Sequence, residues 1–578
     1  MQKRIVKKLM AAVLTVAIVI GLVGIMDYTS ADAAQVQGAG INVEKIDGIS
    51  DDFIMGMDVS SYVSVTKSGV VFKDFNGNAL DDAGFFNLLK SCGVNYIRVR
   101  VWNDPYDANG NGYGGGNCDI EVAATIGKLA TNAGMKVLVD FHYSDFWADP
   151  AKQFAPKAWS GYTVAEKETA IYDYTKTSLT YLKNQGVNIG MVQIGNETTS
   201  KFCGESDWTN MCKLFSAGSK AVREVDSNIL IALHFTDPQK NRYNTHATYL
   251  KNNNVDYDVF ASSFYPEWHG TMSNLTTQLK NIANNYGKKV MIVETSYPYT
   301  LEEMDGHSNT INKWNHSNPP IDGYPEATVQ GQADYMAWII KAMADLGDIA
   351  LGVCYWEGAW NSVGNAYPNG NWSDSVVNNN KILWETYGSG WATSYAYEYQ
   401  PDDVGTWYGG SAVDNQSFFD VEGKALASLN VFNYVKTGAT TEGGQTNTTE
   451  ATKATETTGA TQTTENTETP SVDSTTTPTT IQDEETTKQT EDETTTVDKE
   501  TETTEDETKK NEKDEETTVE TEKSDVTTAD KLNNDVESKD DNKKETNPVL
   551  TVIIVAEVIA LIAAVAVLVV IIIKKRKK

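Results

Sequence analysis

The stretch IGMVQIGNE, residues 189–197, sets four apolar, strand-favouring side chains ahead of Gly195, Asn196 and Glu197. A short apolar run closed by glycine reads as a buried strand, and a strand covered on both faces belongs to a parallel sheet. Seven other stretches have the same form: FIMGMDVSSY (53–62), VNYIRVRVW (94–102), MKVLVDFHYSDFW (135–147), ILIALHF (229–235), YDVFASSFYPEW (257–268), KKVMIVETSY (288–297) and IALGVCYWEGAW (349–360). Between most of them lie segments of helical spacing, among them DDAGFFNLLKSCG, EVAATIGKLATNAG, KETAIYDYTKTSLTYLKNQG and ATVQGQADYMAWIIKAMADLG, each closed by glycine. Eight strands alternating with helices predict an α/β fold, a (β/α)8 TIM barrel with extended loops, over residues 35–437. A doubly wound open sheet is the alternative, weakened because no glycine-rich phosphate loop follows the first strand.

The flanking segments obey different physics. Residues 1–34 open with Lys3, Arg4, Lys7 and Lys8, continue through an apolar run and reach Ala31, Ala33 and Ala34, the layout of a secretory signal peptide. Residues 438–547 are rich in Thr, Glu, Asp and Lys and cannot bury a core, so a disordered stalk is expected, spanning about 60 Å as a flexible coil. From 441 to 547 there are 31 acidic and 11 basic residues, so this tract carries −20 of the formal charge of −31. The acidity therefore describes the stalk, and nothing basic in the folded part points to nucleic acid. Residues 549–573 are apolar except for Thr551 and Glu557, long enough for a transmembrane helix, with the basic tail 574–578 on the cytoplasmic side. No LPxTG-like sequence precedes that segment. The expected arrangement is an exported, cell-surface domain anchored in the plasma membrane of a Gram-positive bacterium, the domain itself being monomeric.

Residues 36–437 hold all 13 tryptophans and all six histidines. In a (β/α)8 barrel the chemistry gathers at the C-terminal ends of the strands. His142, Tyr143, Asp145 and Trp147 follow the third run, Tyr265, Trp268 and His269 the sixth, and Trp356 the eighth. Glu197 ends the fourth run and Glu294 the seventh, so two carboxyls project into one mouth. Glycosidic cleavage needs such a pair, a proton donor to the leaving oxygen and a nucleophile or base toward the anomeric carbon. The tryptophans offer flat faces to the CH-rich side of a sugar, and His142, Asp145 and His269 offer partners to its hydroxyls. Arg98 and Arg100 share one face of the second run; Arg98 reads as a structural ion pair and Arg100 as the cation that keeps Glu294 ionised.

The blocks YGGGN (113–117), DFHYSDFWADPAKQ (140–153), QIGNE, ASSFYPEWHGT (261–271), ETSYPYT and YWEGAW resemble glycoside hydrolase family 53, the endo-β-1,4-galactanases of the retaining clan A, over residues 50–435. The resemblance implies that Glu197 is the acid/base, Glu294 the nucleophile, and Asn196 the partner of the sugar 2-hydroxyl. It implies β-1,4-galactan as substrate, and no cofactor for catalysis. Another clan A β-glycanase, a mannanase or xylanase, is the alternative within the enzymes; a non-catalytic galactan-binding surface protein is the alternative outside them. A pure binder has no need of two carboxyls facing one cleft.

In LEEMDGHSNT, Glu303, Asp305, His307 and Asn309 alternate, which in an extended loop turns four ligand-type side chains to one side. Oxygen-rich ligands with one histidine suit Ca2+ better than Zn2+. The resemblance implies a structural calcium loop completed by Ser411 and Asp414 in GSAVDNQ, with Glu303 standing where the family has aspartate. The five cysteines show no metal-ligand spacing; small buried side chains are expected, with a Cys203–Cys212 disulfide as the alternative.

Overall fold

The computed structural model describes residues 36–316, 323–364 and 373–441. The signal peptide, the apolar segment 549–573, the basic tail and the stalk beyond residue 441 lie outside the described residues. Among the described residues no helix is long and apolar enough to cross a membrane.

Eight strands close a parallel barrel in chain order: β1 (Ile54–Asp58), β2 (Tyr96–Val101), β3 (Lys136–Phe141), β4 (Ile189–Ile194), β5 (Leu230–Phe235), β6 (Val259–Ser263), β7 (Lys289–Glu294) and β8 (Ala350–Tyr355). Each sequence run contains one of them. The helices that follow them are α1 (Asp82–Ser91), α2 (Ile120–Asn132), α3 (Val164–Asn184), α4 (Trp208–Val225), α5 (Tyr243–Asn252), α6 (Met272–Tyr286), α7 (Val329–Ala344) and α8 (Asp374–Tyr387). Side-chain caps mark their starts: Asp119 accepts from Glu121 and Val122 N–H ahead of α2, and Thr163 with Glu166 forms a reciprocal capping box on α3. Gly134 and Gly186, just past α2 and α3, take the left-handed conformation that ends a helix.

The barrel closes where β1 meets β8, with Gly56 opposite Cys354. A side chain on Gly56 would meet the Cys354 sulfur at 2.2 Å, so only glycine fits there. The interior changes character along the axis. Ile54, Tyr96, Leu138, Met191, Ala232, Val259, Ala261, Met291 and Cys354 form a dry cluster inside the barrel. Nearer the strand C-termini the inward positions become polar: Asp58, Arg98, Asp140, Gln193 and His234 are all buried. A much larger apolar layer fills the space between strands and helices.

One boundary differs from the sequence expectation. Val36–Gln37 pairs in parallel with Ala439–Thr440, so the folded unit runs past the expected stalk boundary at 438. All five cysteines are buried free thiols, as expected, and Cys203 and Cys212 form no disulfide.

Candidate active site

The site grows out of the turn after β4. Gly195 adopts φ 82°, and a Cβ there would meet Thr198 at 2.6 Å and the Phe202 ring at 2.8 Å. That tight turn brings Asn196 and Glu197 to the mouth, with Glu197 itself in the left-handed region at φ 47°. A non-glycine residue held there costs about 1–3 kcal/mol, which neighbouring contacts must offset. Thr198 supplies part of them, donating both its N–H and its hydroxyl to the His234 carbonyl.

Glu294 arrives from β7. Arg98 Nη2 donates to its Oε1 at 2.5 Å, and the Tyr265 hydroxyl donates to its Oε2 at 3.3 Å. The same guanidinium also reaches Asp58 and Asp140 at 2.8 Å and the Asn196 carboxamide oxygen at 3.0 Å. Arg98 is thus a buried hub joining β1, β2, β3, β4 and β7. Among the described residues no cation pairs with Glu197. Its Oε1 accepts from the Ser263 hydroxyl at 2.5 Å, and one of its carboxylate oxygens lies within 4.8 Å of one of Glu294's. Burial raises the affinity of both carboxyls for protons; the Arg98 charge opposes this at Glu294, whereas the Glu294 charge adds to it at Glu197, pushed up to about 8. A shared proton therefore resides on Glu197, leaving Glu294 ionised.

A cavity of about 160 Å³ opens over this pair, lined by His142, Trp147, Asn196, Tyr265, Trp268 and Trp356 among the residues expected from the sequence. Asn196 donates from Nδ2 to the Ala148 carbonyl and accepts from Arg98, so both ends of its amide are fixed. His142 Nδ1 accepts from the Trp102 indole and from Ala148 N–H, which puts its proton on Nε2, facing Asp140 at 3.1 Å. Trp147 and Trp391 stack at 4.4 Å between centroids, with Trp356 edge-on at 6.2 Å from Trp147.

Four expected contact residues lie elsewhere. Arg100 does not reach Glu294. It pairs with Glu357, donates to the Gly115 carbonyl at 2.6 Å and lies over the back of Trp147 at 4.4 Å, because Glu294 is already taken by the deeper Arg98. Thus Arg98, read as a structural pair, is the cation on Glu294. Tyr143 points outward from the barrel, packing on Phe141 and Phe202 with its hydroxyl 2.7 Å from Thr175 Oγ1. Asp145 is buried as a loop clamp, accepting from Asp104 and Lys157 N–H. His269 stands behind the wall: its Nδ1 accepts from Tyr265 N–H and its Nε2 faces the Thr236 hydroxyl at 3.1 Å.

Other site residues were missed. Trp391, Asp149, Ser296, Thr310, Val413 and Gln416 complete the lining. Most come from loops with no strand-end signal. His234 ends ILIALHF and Ser263 ends β6, so position alone marks both. Glu357, buried and at φ 51°, follows β8 and binds the Ser61 hydroxyl at 2.6 Å as well as Arg100.

The loop 303–309 folds against 409–416. Asp305 accepts from His307 N–H at 2.8 Å and Ser411 N–H at 2.7 Å, and Thr310 N–H donates to the Ala412 carbonyl. Both Asp414 oxygens, both polar atoms of the Asn309 amide and His307 Nε2 are buried without a hydrogen bond of normal geometry. Burial raises the affinity of Asp305 and Asp414 for protons, Asp305 to about 7, with the Glu303 charge adding to it at Asp305 and the Asp305 and Glu303 charges at Asp414. Glu303 receives Asn309 N–H on its carboxylate. Lys313 acts on Glu303, but among the described residues no cation pairs with Asp305 or Asp414, and such a buried acidic pair with orphaned oxygens is the environment a divalent cation would relieve. The Ser411 hydroxyl, in contrast, is turned toward the Trp360 carbonyl.

The model of glycosyl hydrolase family 53 matches residues 54–432. The chain belongs to this family. It is 56% identical over 397 residues to the endo-β-1,4-galactanase of Bacillus subtilis (strain 168), covering 68% of this chain and 89% of that protein. It is 32% identical over 359 residues to the arabinogalactan endo-β-1,4-galactanase of Cellvibrio japonicus (strain Ueda107), covering 58% and 90%. Among solved structures, the family 53 catalytic domain of Ignisphaera aggregans superposes with a TM-score of 0.59 at 36% identity, covering 68% of this chain and 99% of that one. The chain that carries this carboxyl pair is therefore a glycoside hydrolase.

Proposed function

We propose that the protein is an endo-β-1,4-galactanase that cuts β-1,4-galactosidic bonds in galactan and arabinogalactan side chains of pectin with retention of anomeric configuration. The observation that carries the reading is the asymmetric pair: Glu294 on Arg98 and Tyr265, Glu197 on Ser263, with carboxylate oxygens within 4.8 Å. Retaining enzymes hold their two carboxyls about 5–5.5 Å apart, and inverting ones about 6.5–9.5 Å to admit a water. The short spacing supports the retaining route.

In the first step ionised Glu294 attacks the anomeric carbon while protonated Glu197 gives its proton to the leaving oxygen. The products are a galactosyl ester on Glu294 and a free sugar hydroxyl. In the second, Glu197 takes a proton from water as the water oxygen displaces Glu294, restoring both groups. Asn196, clamped at both ends of its amide, is placed to hold the 2-hydroxyl, and the Trp147–Trp391 wall and Trp268 to hold sugar faces. Ca2+, held by Glu303, Asp305, His307, Asn309 and Asp414, would neutralise the buried acids and staple the loop after β7 to the end of the domain; Ser411 supports it through its N–H. The sequence further supports a monomeric extracellular domain tethered by the segment 549–573.

The test is digestion of linear β-1,4-galactan by the full-length protein and by Glu294→Gln, with mannan and xylan as controls. Galactan cut by the wild type alone supports the reading. Intact galactan, or mannan or xylan cut in its place, overturns it.

A further inference from the structure

One fully buried imidazole in the mouth takes no part in the steps above. His234, at the C-terminal end of β5, contacts Glu197 twice, once directly and once through another side chain. Glu197 N–H donates to His234 Nδ1 at 3.3 Å, so Nδ1 is an acceptor and the ring proton sits on Nε2. Gln193 Nε2, a group that can only donate, also lies 3.0 Å from Nδ1 and shares its two hydrogens with Asp140, Gly195 and Asn196. Asn196 Oδ1 also lies 3.0 Å from Nδ1, but its two lone pairs already face donors, Arg98 Nη2 at 3.0 Å and Gln193 Nε2 at 3.1 Å. Nε2–H then faces Ser263 Oγ at 2.8 Å, and that hydroxyl donates to Glu197 Oε1 at 2.5 Å. The contacts close a ring in which every proton has one direction.

We propose that His234 and Ser263 form a positioning relay for the acid/base, gripping the Glu197 backbone through Nδ1 and its carboxyl through Nε2–H and the serine hydroxyl. The proposal rests on the reading of Glu197 as that group. Its physical content is the fixed polarity. Because Nε2–H occupies an oxygen lone pair of Ser263, the one serine proton is committed to Glu197 Oε1. Among the described residues Glu197 Oε1 is the acceptor that hydroxyl has, so it donates there and stabilises the carboxylate form against the general pressure of burial. The relay also holds the left-handed turn at residue 197, which would otherwise relax and carry the carboxyl away from the glycosidic oxygen. A cationic ring would have to donate from Nδ1 as well, against the Glu197 N–H and Gln193 donors, and burial beside Arg98 keeps His234 neutral.

The charged and titratable groups around Glu197 are Glu294 on β7, Tyr265 after β6, Tyr243 on α5, Asp149 in the loop after β3 and Arg98 on β2, with His269 behind Thr236. Ser263→Ala alters none of them and removes one donor.

The test uses the full-length protein labelled with 13C at the glutamate side-chain carboxyl, the Glu197 signal being assigned with Glu197→Gln. Ser263→Ala is expected to raise the Glu197 titration midpoint by about one unit, tenfold in proton affinity, the order of one hydrogen bond to a charged acceptor. The alkaline limb of kcat/KM on galacto-oligosaccharides moves with it. A Glu197 titration that superimposes on wild type in a folded Ser263→Ala protein overturns the relay. A second measurement needs no variant at Ser263: 15N spectra of His234 in the wild type are expected to show the neutral Nε2–H tautomer from pH 5 to 8. An Nδ1–H tautomer or an imidazolium in that range overturns the assigned polarity. Both magnetic-resonance readouts are independent of turnover, so failure to cut galactan removes the proposed activity while leaving these measurements to decide the relay.

Discussion

Arg98 Nη2 lies 2.5 Å from Glu294 Oε1, whereas Arg100, two residues on and on the same face of β2, turns to Glu357. The two arginines thus have separate duties. Arg98 sits among Asp58, Asp140 and Glu294, so its charge compensates buried acids and holds the carboxyl proposed as nucleophile. Arg100 lies under Trp147, where its guanidinium face backs the aromatic wall.

That division predicts different outcomes for matched substitutions. Arg98→Lys keeps the charge, but a single ammonium cannot reproduce the forked contacts to Asp58, Asp140, Asn196 and Glu294. Loss of one charged hydrogen bond on the nucleophile, about 1.5–3 kcal/mol, corresponds to roughly 10- to 100-fold in kcat/KM. The acid limb of the pH profile moves upward as well, since a less well-compensated Glu294 holds its proton longer. Arg100→Lys is expected to raise KM and leave that limb in place. Initial rates on galactan from pH 4 to 9 distinguish the two.

The wild-type pH dependence follows from the proton on Glu197. Activity needs Glu294 ionised and Glu197 protonated, so kcat/KM falls as pH drops through the Glu294 midpoint and falls again as pH rises through about 8. Stability carries the matching sign. A carboxyl whose folded affinity for protons is raised costs nothing below its unfolded value of about 4.3 and destabilises progressively up to its folded value. Glu197→Gln removes that cost, so its Tm is expected to exceed wild type at pH 8.5 by more than at pH 4.5. Equal differences at both pH values would remove the argument.

The barrel was legible because each strand carries its own apolar run and each exit its own polar cluster, a local signal repeated eight times. The carboxyl pair was legible for the same reason. Choosing between Arg98 and Arg100 was not, because both satisfy the inward period of β2 and only the depth of each in the closed barrel decides which meets β7. Tyr143, Asp145 and His269 failed as sugar contacts because position past a strand end does not say whether a side chain turns into the mouth or back into the loops. Trp391 was hidden for the opposite reason. It reaches the cleft from a loop far along the chain, where it stacks on Trp147 through a closure that no local pattern encodes.

Glu197 as acid predicts a dependence on the leaving group. In Glu197→Gln the oxygen of an alkyl galactoside departs unprotonated, and general acid catalysis is worth about 10²–10⁴-fold. An aryl galacto-oligosaccharide whose phenol is already acidic needs no such help. Galactan cleavage should fall by that factor, while formation of the galactosyl-enzyme from the activated aryl substrate is nearly retained and its hydrolysis becomes limiting. A phenol burst followed by slow turnover is the expected trace; equal losses on both substrates would contradict the role.

The aromatic residues should separate by burial. Trp268 is 49% exposed at the rim and makes an edge contact with Tyr265, so Trp268→Ala is expected to raise KM several-fold with little change in Tm. Trp147 is 5% exposed between Arg100 and Trp391, so Trp147→Ala opens a cavity and costs about 3–5 kcal/mol of stability in addition to binding. Thermal melts alongside KM values on galactan resolve the two kinds of loss.

The orphaned oxygens around Asp414 predict a calcium response away from the chemistry. A cation at about 100 times its Kd contributes about 2.7 kcal/mol to the folded state. With an unfolding entropy near 2.1 cal/mol/K per residue over roughly 400 residues, that is a Tm rise of about 3 °C. Chelation with EDTA should lower Tm by that amount and added Ca2+ should restore it. Asp414→Asn removes a charge from the cluster, so the substituted protein should gain intrinsic stability without metal while losing most of the calcium increment. Thr310, the residue next to the loop 303–309, lines the cleft, so chelation is expected to raise KM while the pH midpoints, set by Glu197, Glu294 and Arg98, stay where they are. Calorimetry with and without Ca2+ reads the first effect and pH profiles of the chelated protein the second. A calcium-dependent shift in either midpoint would place the ion in the chemistry.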